Sequence, residues 1–273
     1  MNFPVEPVPK REVEEYVAKG LKAVTIPGAE PVFHRAGSTA FLILHGWCAT
    51  AESVRFLTAG IAKGGYSVLA PTLPGHGTSA QDMLKFGPSD WINAARDALH
   101  MLDRHFHTVH LMGVSMGGTL ALQLAALEAD KLASVTTINA PVFLSNPQLA
   151  IDVMKGAPEG ALANWSGPSF MGPEVAEIIY PRRSRKSTLD LFAMTALANE
   201  VLPAVQTSLL VIQSKHDPTV PPQCAEQIMA KTSSRTKKLQ WLSNSYHTSQ
   251  LDLDRDKVVA MALEFIRAQK ISV

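Results

Sequence analysis

The chain contains 273 residues, of which 46% are hydrophobic and 18% are charged, a composition that suits a soluble globular protein with a full core. Its 25 basic and 24 acidic residues leave a net charge of +1, which argues against nucleic acid as a partner. Its two cysteines, Cys48 and Cys224, are too few for a disulfide framework and indicate a reducing compartment.

Short apolar runs with strand character alternate with helical patterns over the first half of the chain. The predicted strands are residues 40–45, 66–70, 108–114 and 132–138, and the predicted helices are residues 51–63, 89–106 and 116–129. Ser89 and Asp90 are expected to cap the second of these helices. The alternation resumes later, with strands at 208–213 and 238–242 and helices at 221–231 and 254–269.

Residues 140–204, between these two parts, contain recurrent prolines and show no strand–helix alternation. Apolar strands that alternate with helices indicate a mostly parallel sheet with helices on both faces. We therefore predict an α/β core made of residues 1–139 and 205–273. Residues 140–204 are predicted to form a small cap, or lid, over the carboxyl ends of the strands.

Ser115 lies at the centre of the string Gly-Val-Ser-Met-Gly, between a predicted strand and a predicted helix. A serine nucleophile must be exposed on a sharp turn of this kind, where the strained backbone and the close strand–helix approach require small neighbours. Gly113 and Gly117 meet that requirement. The string predicts a nucleophile elbow, although an isolated match also occurs by chance in ordinary turns.

Asp217 and His247 can supply the acid and the base that a serine nucleophile requires. Asp217 follows the strand at 208–213, and His247 lies between the last predicted strand and the last predicted helix. Both therefore fall at carboxyl ends of strands, where Ser115 also emerges, and the order Ser, Asp, His is that of α/β-hydrolases. We predict that these three residues form a catalytic triad.

Other acidic residues compete with Asp217 for the role of the acid. Asp252, Asp254 and Asp256 follow His247 too closely and are typical of turns and helix caps. Glu200 lies in residues 140–204, hereafter the inserted stretch, rather than after a strand. The alternative for Asp217 itself is a cap on the helix that follows it.

Ester hydrolysis also requires two backbone N–H groups that stabilise the tetrahedral anion. One donor is expected at Met116, which follows the nucleophile and opens a helix. The other is expected in the loop after the strand at 40–45, where Gly46 allows a close backbone approach. Trp47 is therefore predicted to donate its N–H group, and its ring is predicted to form a wall of the acyl pocket.

The chain resembles the bacterial monoacylglycerol lipase and carboxylesterase branch of the α/β-hydrolase superfamily. The resemblance rests on the strings GAEPVFHRAG, LILHGWCAT, GYSVLAPTLPGHGTS, GVSMGGTLAL, HDPTVPP and NSYHTSQLD, which span nearly the whole predicted core. It implies the α/β-hydrolase fold, the same triad and oxyanion donors, ester hydrolysis without a cofactor, and a cap that lines an acyl tunnel. The chain departs from the family pattern at Trp47, where Phe is usual, and at Cys48, where a small or hydroxyl residue is usual.

In the predicted cap, the string GPEVAEIIY resembles the family segment whose glutamate contacts the glycerol headgroup, which implies this role for Glu177. A solvated position on a helix face is the alternative. Trp165 and Met171 are further candidates for substrate contact, with packing inside the cap as the alternative. The basic stretch from Arg182 to Lys186 fits either a solvated face or the recruitment of an anionic substrate or membrane surface.

His105, His107 and His110 have no carboxylate or cysteine at ligand spacing, and no base is placed beside Cys48. We therefore predict no metal, no cofactor and no cysteine nucleophile.

The predicted function is that of a serine carboxylic-ester hydrolase acting on monoacylglycerols or short-to-medium acyl esters through an acyl-enzyme. One alternative is a hydrolase of a small metabolic ester, lactone or amide with a carboxylate, and another is a non-catalytic ligand-binding protein. A small-molecule substrate is the expected partner, without stable membrane insertion, and homodimer formation is left open. An amino-terminal segment with prolines and acids, and the lack of any apolar window of about 18 residues, indicate a cytoplasmic protein.

Overall fold

The apolar runs of the sequence form the strands of the computed structural model, which describes residues 10–143, 151, 155–156, 162–164 and 169–269. The strands in these residues are β1 (Val32–His34), β2 (Thr39–Leu44), β3 (Ser67–Ala70), β4 (Thr108–Val114), β5 (Ser134–Ile138), β6 (Leu162–Asn164), β7 (Arg182–Ser184), β8 (Ser208–Ser214) and β9 (Lys237–Leu242). Seven of them form one sheet in the order β1-β3-β2-β4-β5-β8-β9, and β6 pairs with β7 in a separate antiparallel ribbon.

The central sheet is parallel except at one edge, where β1 runs antiparallel to β3. The helices in the described residues are α1 (Lys10–Ala23), α2 (Arg55–Lys63), α3 (Pro88–His105), α4 (Met116–Leu127), α5 (Arg185–Val201), α6 (Gln223–Lys231) and α7 (Arg255–Gln269). Because parallel strands end at the same edge, the loops after β2, β4, β5, β8 and β9 meet there. The predicted α/β fold with a mostly parallel sheet is confirmed.

The two faces of the sheet are buried in two separate apolar clusters. Along β2, Leu42 and Leu44 pack in the cluster that also contains side chains of α3 and α4, whereas Phe41 and Ile43 pack in the cluster that contains side chains of α2 and α7. Side chains alternate between faces along a strand, so a strand covered on both sides must be apolar at every position. This explains the unbroken apolar run in the sequence.

The start of α3 differs from the prediction. The helix begins at Pro88 with Gly87 as its cap, so Ser89 and Asp90 lie inside the first turn rather than before it. The carboxylate of Asp90 accepts a hydrogen bond from the Gly87 N–H group at 2.9 Å. Asp90 therefore caps the helix from its third position, and the proline fits the first position because it needs no N–H partner there.

Helix α5 lies in the stretch where the sequence showed no periodic pattern. Its 17 residues bury a mixture of side chains rather than an apolar stripe, namely Ser187, Thr188, Met194, Thr195 and Ala198. The helix packs on α4, where the amide of Gln123 donates to the backbone oxygen of Met194 at 2.9 Å. A polar buried face gives no hydrophobic period, which is why the helix was not predicted.

Of the helices in the described part of the chain, none has both the length and the apolar content that crossing a bilayer requires.

Candidate active site

Ser115 occupies the turn that joins β4 to α4. Its backbone has φ 52° and ψ −120°, a conformation that residues with a side chain rarely adopt. A Cβ atom on Gly113 would overlap the backbone oxygen of Gly117, and a Cβ atom on Gly117 would overlap the backbone oxygen of Leu44. The two glycines therefore allow the strand, the helix and the neighbouring strand to approach closely enough to form the turn.

Ser115, His247 and Asp217 are in hydrogen-bond contact. The Nε2 atom of His247 lies 3.0 Å from the Oγ atom of Ser115, and its Nδ1 atom lies 2.8 Å from the Oδ2 atom of Asp217. The other carboxylate oxygen of Asp217 accepts from the N–H groups of Thr219 at 2.8 Å and Val220 at 2.9 Å. Three loops, after β4, β8 and β9, thus bring together the three residues predicted as a triad.

The electrostatics of His247 favour its protonated form. Burial lowers the pKa of the ring, but the adjacent Asp217 carboxylate outweighs burial by charge and by hydrogen bonding and raises the pKa above the ordinary 6.5. In the neutral ring, Nδ1–H donates to Asp217 and Nε2 accepts from the Ser115 hydroxyl group. This arrangement can take a proton from Ser115 and hold it as a stabilised imidazolium.

Met116 and Trp47 both lie near Ser115 at this edge of the sheet. Met116 is the first residue of α4, and Trp47 follows the end of β2 in a loop where Gly46 brings its backbone beside the Cβ atom of Ser115. The first N–H groups of a helix have no partner within the helix and form the positive end of its dipole. Both residues predicted as oxyanion donors therefore lie next to Ser115.

His45 fixes the loop that carries Trp47. Its Nδ1 atom lies 2.8 Å from the backbone oxygen of Gly46, and its Nε2 atom accepts from the N–H group of Leu73 at 3.0 Å. Burial lowers the pKa of His45 to about 4, so the ring is neutral and can donate at one nitrogen while it accepts at the other.

A cavity of about 150 Å³, partly open to solvent, extends from Ser115 and His247 towards the inserted stretch. Its walls are mostly apolar and include Trp47, Val114, Phe143, Ile179, Leu191, Phe192 and Val220. Two charged residues of the inserted stretch, Glu177 and Arg183, also line it. An apolar pocket with a few polar groups beside a nucleophile is typical of a site for a small organic substrate.

Glu177 is positioned at the cavity by hydrogen bonds to the two residues that flank it. The carboxylate of Glu52 accepts from the N–H group of Ile178 at 3.1 Å, and Arg55, which forms an ion pair with Glu52, donates to the backbone oxygen of Ala176 at 2.9 Å. Burial and the nearby Glu52 charge raise the pKa of Glu177 to about 7. Glu177 can therefore both donate and accept a hydrogen bond near neutral pH.

The other residues considered from the sequence lie elsewhere. Met171, which was expected to contact the substrate, is 36% exposed and is not among the described residues that line the cavity with Ser115. Trp165 lies outside the described residues. In the basic stretch, Arg182 is exposed and Lys186 pairs with Asp190, whereas Arg183 reaches the cavity. The residue pattern alone does not distinguish Arg183 from its basic neighbours.

Two of the rival acids, Asp252 and Asp254, accept hydrogen bonds from backbone N–H groups. Asp252 is buried and accepts from the N–H groups of Met171 at 2.7 Å and Gly172 at 2.9 Å, and Asp254 accepts from that of Asn244 at 2.8 Å. Within the described ranges no three His, Cys, Asp or Glu residues are grouped as a metal site would require.

Comparisons with known proteins agree with this fold. The sequence profile of the alpha/beta hydrolase family matches residues 41–262, and the chain belongs to this family. It is 33% identical over 240 residues to a thermostable monoacylglycerol lipase of Bacillus sp. (strain H-257), covering 88% of this chain and 95% of the relative. It is 26% identical over 249 residues to a carboxylesterase of Bacillus subtilis (strain 168), covering 90% of this chain and 98% of the relative.

Solved structures show the same relationship. One from work on two metagenome-derived lipolytic enzymes, LipS and LipT, superposes with a TM-score of 0.85 at 32% identity and covers 89% of this chain and 99% of its own. A monoacylglycerol lipase from Paleococcus ferrophilus superposes with a TM-score of 0.72 at 15% identity, covers 87% of this chain and 98% of its own, and shares the fold. The predicted resemblance and the prediction of a hydrolytic enzyme are confirmed.

Proposed function

We propose that the chain hydrolyses carboxylic esters through an acyl-enzyme on Ser115. The substrates are either monoacylglycerols or short-to-medium-chain acyl esters. The observation that carries this proposal is the continuous contact from the Ser115 hydroxyl group through His247 to the Asp217 carboxylate. The names of the related lipase and carboxylesterase support the choice of an ester as the substrate.

In the proposed first half-reaction, the Ser115 oxygen attacks the ester carbonyl carbon while His247 Nε2 takes the hydroxyl proton. The carbonyl electron pair moves to oxygen, and the N–H groups of Trp47 and Met116 stabilise the resulting anion. The intermediate collapses, the carbon–oxygen bond to the alcohol breaks, and His247 gives the proton to the leaving alcohol. Water then repeats the sequence on the acyl-enzyme and releases the acid.

Residues 140–204 serve in this proposal as the cap of the substrate cavity, and the remainder of the chain as the core. The apolar walls suit an acyl chain, and Glu177 suits a polyol headgroup because its carboxyl group can donate to one hydroxyl and accept from another. The segment that carries Glu177 is hydrogen-bonded to the core through Glu52 and Arg55. Its position relative to Ser115 is thereby fixed.

The test is a chain-length series of p-nitrophenyl esters together with matched monoacylglycerols, assayed with the wild-type protein, Ser115→Ala and Glu177→Gln. We expect turnover in the wild-type protein and none above background in Ser115→Ala. Glu177→Gln should raise KM for monoacylglycerols and leave p-nitrophenyl ester hydrolysis within about twofold, since only the glycerol ester presents hydroxyl groups to it. A folded wild-type protein that hydrolyses no ester of the series would refute the proposal.

Arg183 favours a second candidate, the hydrolysis of esters whose far end carries a carboxylate. Its guanidinium carbon lies 5.7 Å from the centre of the Trp47 ring, and its side chain lines the same cavity as Ser115. A guanidinium group can bind a carboxylate through two hydrogen bonds. The charge of Glu177 opposes such a substrate, which is why the neutral ester is the first choice.

Two esters of equal length, one ending in a methyl group and one in a carboxylate, separate the candidates. If the second candidate is correct, Arg183→Met lowers kcat/KM for the carboxylate ester by at least about tenfold and changes the methyl ester little. Arg182→Met is the matched control, because Arg182 is the exposed neighbour. Equal effects of Arg183→Met on both esters would exclude a carboxylate-specific role.

A further inference from the structure

Three residues other than glycine have a positive φ in the described part of the chain: Cys48 at 63°, Ser115 at 52° and Asn139 at 48°. They follow the carboxyl ends of three adjacent strands, β2, β4 and β5. Backbone strain of this kind persists where the surrounding structure enforces it, and it is concentrated at functional sites. Cys48 adjoins the proposed oxyanion loop and Ser115 is the proposed nucleophile, whereas Asn139 has no part in the mechanism described above.

Asn139 is fully buried and connects the two loops that carry the acid and the base. Its side-chain oxygen accepts from the N–H group of Ser214, at the end of β8, at 2.7 Å. Its side-chain nitrogen donates to the backbone oxygen of His247 at 2.7 Å. Its own N–H group donates to Ile212 at 3.0 Å. The amide therefore joins β8 to the His247 loop across the end of β5.

The amide is well matched to this position. Only a side chain that accepts at one atom and donates at another can bind the Ser214 N–H group and the His247 carbonyl group together. Asn is also one of the few residues that adopts a positive φ with little strain. Ser115 is tied to the same strand end, because its N–H group donates to the backbone oxygen of Ile138 at 2.8 Å. The backbones of Ser115 and His247 are thus both hydrogen-bonded to residues 138–139.

We propose that Asn139 is a positioning residue that sets the distance between His247 and Ser115 in the reaction proposed above. It touches neither substrate nor reacting atoms and acts through the backbone of His247. A displacement of about 1 Å between reacting groups can cost roughly 100-fold in rate, so a hydrogen bond that holds the backbone of the base can control turnover. The proposal rests on the proposed function of Ser115, His247 and Asp217.

The test compares Asn139→Gly and Asn139→Asp with the wild-type protein. Both residues tolerate a positive φ, so the backbone strain does not increase. Glycine removes all the side-chain hydrogen bonds of Asn139, whereas aspartate keeps an acceptor for Ser214 and lacks the donor for His247. The measurements are kcat and KM for a p-nitrophenyl ester, the melting temperature, and the rate at which a fluorophosphonate probe labels Ser115. The labelling requires an activated serine but no ester turnover.

Ser245→Ala is the matched control. Ser245 is buried in the same loop, two residues before His247, and its hydroxyl group accepts from the N–H group of Asp254 at 3.0 Å and donates to the Asp254 carboxylate at 3.2 Å. This variant should lose stability and keep kcat.

We expect both Asn139 variants to lose kcat and labelling rate by roughly 100-fold with KM within about twofold of wild type. The proposal is overturned if either variant folds and keeps both rates within about threefold, or if Ser245→Ala loses kcat by the same factor as the Asn139 variants. If the wild-type protein is labelled but hydrolyses no ester, the proposed substrate is wrong and the labelling rates still decide the role of Asn139. If the wild-type protein is not labelled, both proposals fail.

Discussion

Helix α4 begins at the proposed nucleophile and ends at a cluster of charges, and its two ends are stabilised in opposite ways. At the amino end, Ser115 has a strained backbone whose contacts are neutral: its N–H group donates to Ile138 and its carbonyl group accepts from Gly118 and Thr119. At the carboxyl end, the buried carboxylate of Glu128 forms ion pairs. Its partners are Arg96 and Lys131, the latter at 3.1 Å, and His100 Nε2 lies 3.0 Å from the same carboxylate.

The difference follows from the helix dipole. A carboxylate at the carboxyl end opposes the dipole, and the three basic groups around Glu128 offset that cost. At the amino end the dipole favours a negative charge. The negative charge that the proposed reaction creates there belongs to a transient intermediate. The carboxyl end of α4 should therefore govern stability, and the amino end should govern rate. Substitutions at each end can test whether the two properties are separate.

The largest effect is expected for Asp217→Asn, which should lower kcat by roughly 10⁴-fold because an amide favours the wrong tautomer of His247. Stability should change little, since the remaining oxygen can still accept from Thr219 and Val220. Steady-state kinetics on a p-nitrophenyl ester and thermal unfolding give the two values. Asp256→Asn, at an exposed acidic position on α7, is the control. Activity retained within tenfold would remove Asp217 from the proposed triad.

A smaller effect, on stability alone, is expected for Glu128→Gln. Burial raises the pKa of Glu128, but the hydrogen bonds and charges of His100, Lys131 and Arg96 outweigh it and lower the pKa to about 2. We expect the free energy of unfolding at pH 7 to fall by about 2 kcal/mol, the typical value for a hydrogen bond to a charged group, with kcat unchanged.

The pH dependence of that difference gives a second check. Because the folded pKa lies below the ordinary 4.5, the stabilisation is present above pH 4.5 and is lost as the pH falls towards 2. Urea unfolding of the wild-type protein and Glu128→Gln should therefore converge over this range. Glu264→Gln, which breaks the exposed pair with Lys238, is the control and should change stability by less than about 1 kcal/mol. A fall in kcat for Glu128→Gln would show that the ends of α4 are coupled.

The smallest expected effect is a shift in the midpoint of the acidic limb of the pH–rate profile. The proposed base must be neutral, so kcat/KM should fall as the pH drops through the raised pKa of His247, with a midpoint above 6.5. Because the Glu128 carboxylate stays ionised in this range, the loss of activity should occur without unfolding. The measurement uses p-nitrophenyl esters and includes Glu177→Gln, which should lower the midpoint by less than one pH unit. A midpoint below 6.5 would contradict the proposed role of the Asp217 carboxylate.

The parts of the site that depend on local chain geometry could be predicted from the sequence. The elbow requires small residues at fixed offsets from the serine, and Gly113 and Gly117 stand at those offsets. Likewise, residues that follow apolar parallel strands must meet at one edge, which was sufficient to select Asp217 and His247 as neighbours of Ser115. These inferences need only strand direction and chain order.

The features that were missed depend on contacts between distant segments. Asn139 follows a predicted strand, but nothing in its neighbourhood indicates that its amide reaches Ser214 and His247, which are 75 and 108 residues away. Arg183 is one of several adjacent basic residues, and only the packing of the inserted stretch selects it for the cavity. In both cases the neighbours in space, rather than the neighbours in sequence, decide the role.

Tyr180 connects the inserted stretch to the loop of the proposed oxyanion donor. Its N–H group donates to the backbone oxygen of Cys48 at 3.0 Å, and its hydroxyl group donates to Gly75 at 2.9 Å while it accepts from Thr78 at 2.8 Å. Glu177 lies three residues before Tyr180, and Arg183 lies three residues after it. The hydrogen bonds of Tyr180 therefore hold the polar wall of the cavity in a fixed position. Substrates should therefore be selected by how well they match a preset spacing between headgroup and scissile bond, and longer headgroups should be rejected rather than accommodated.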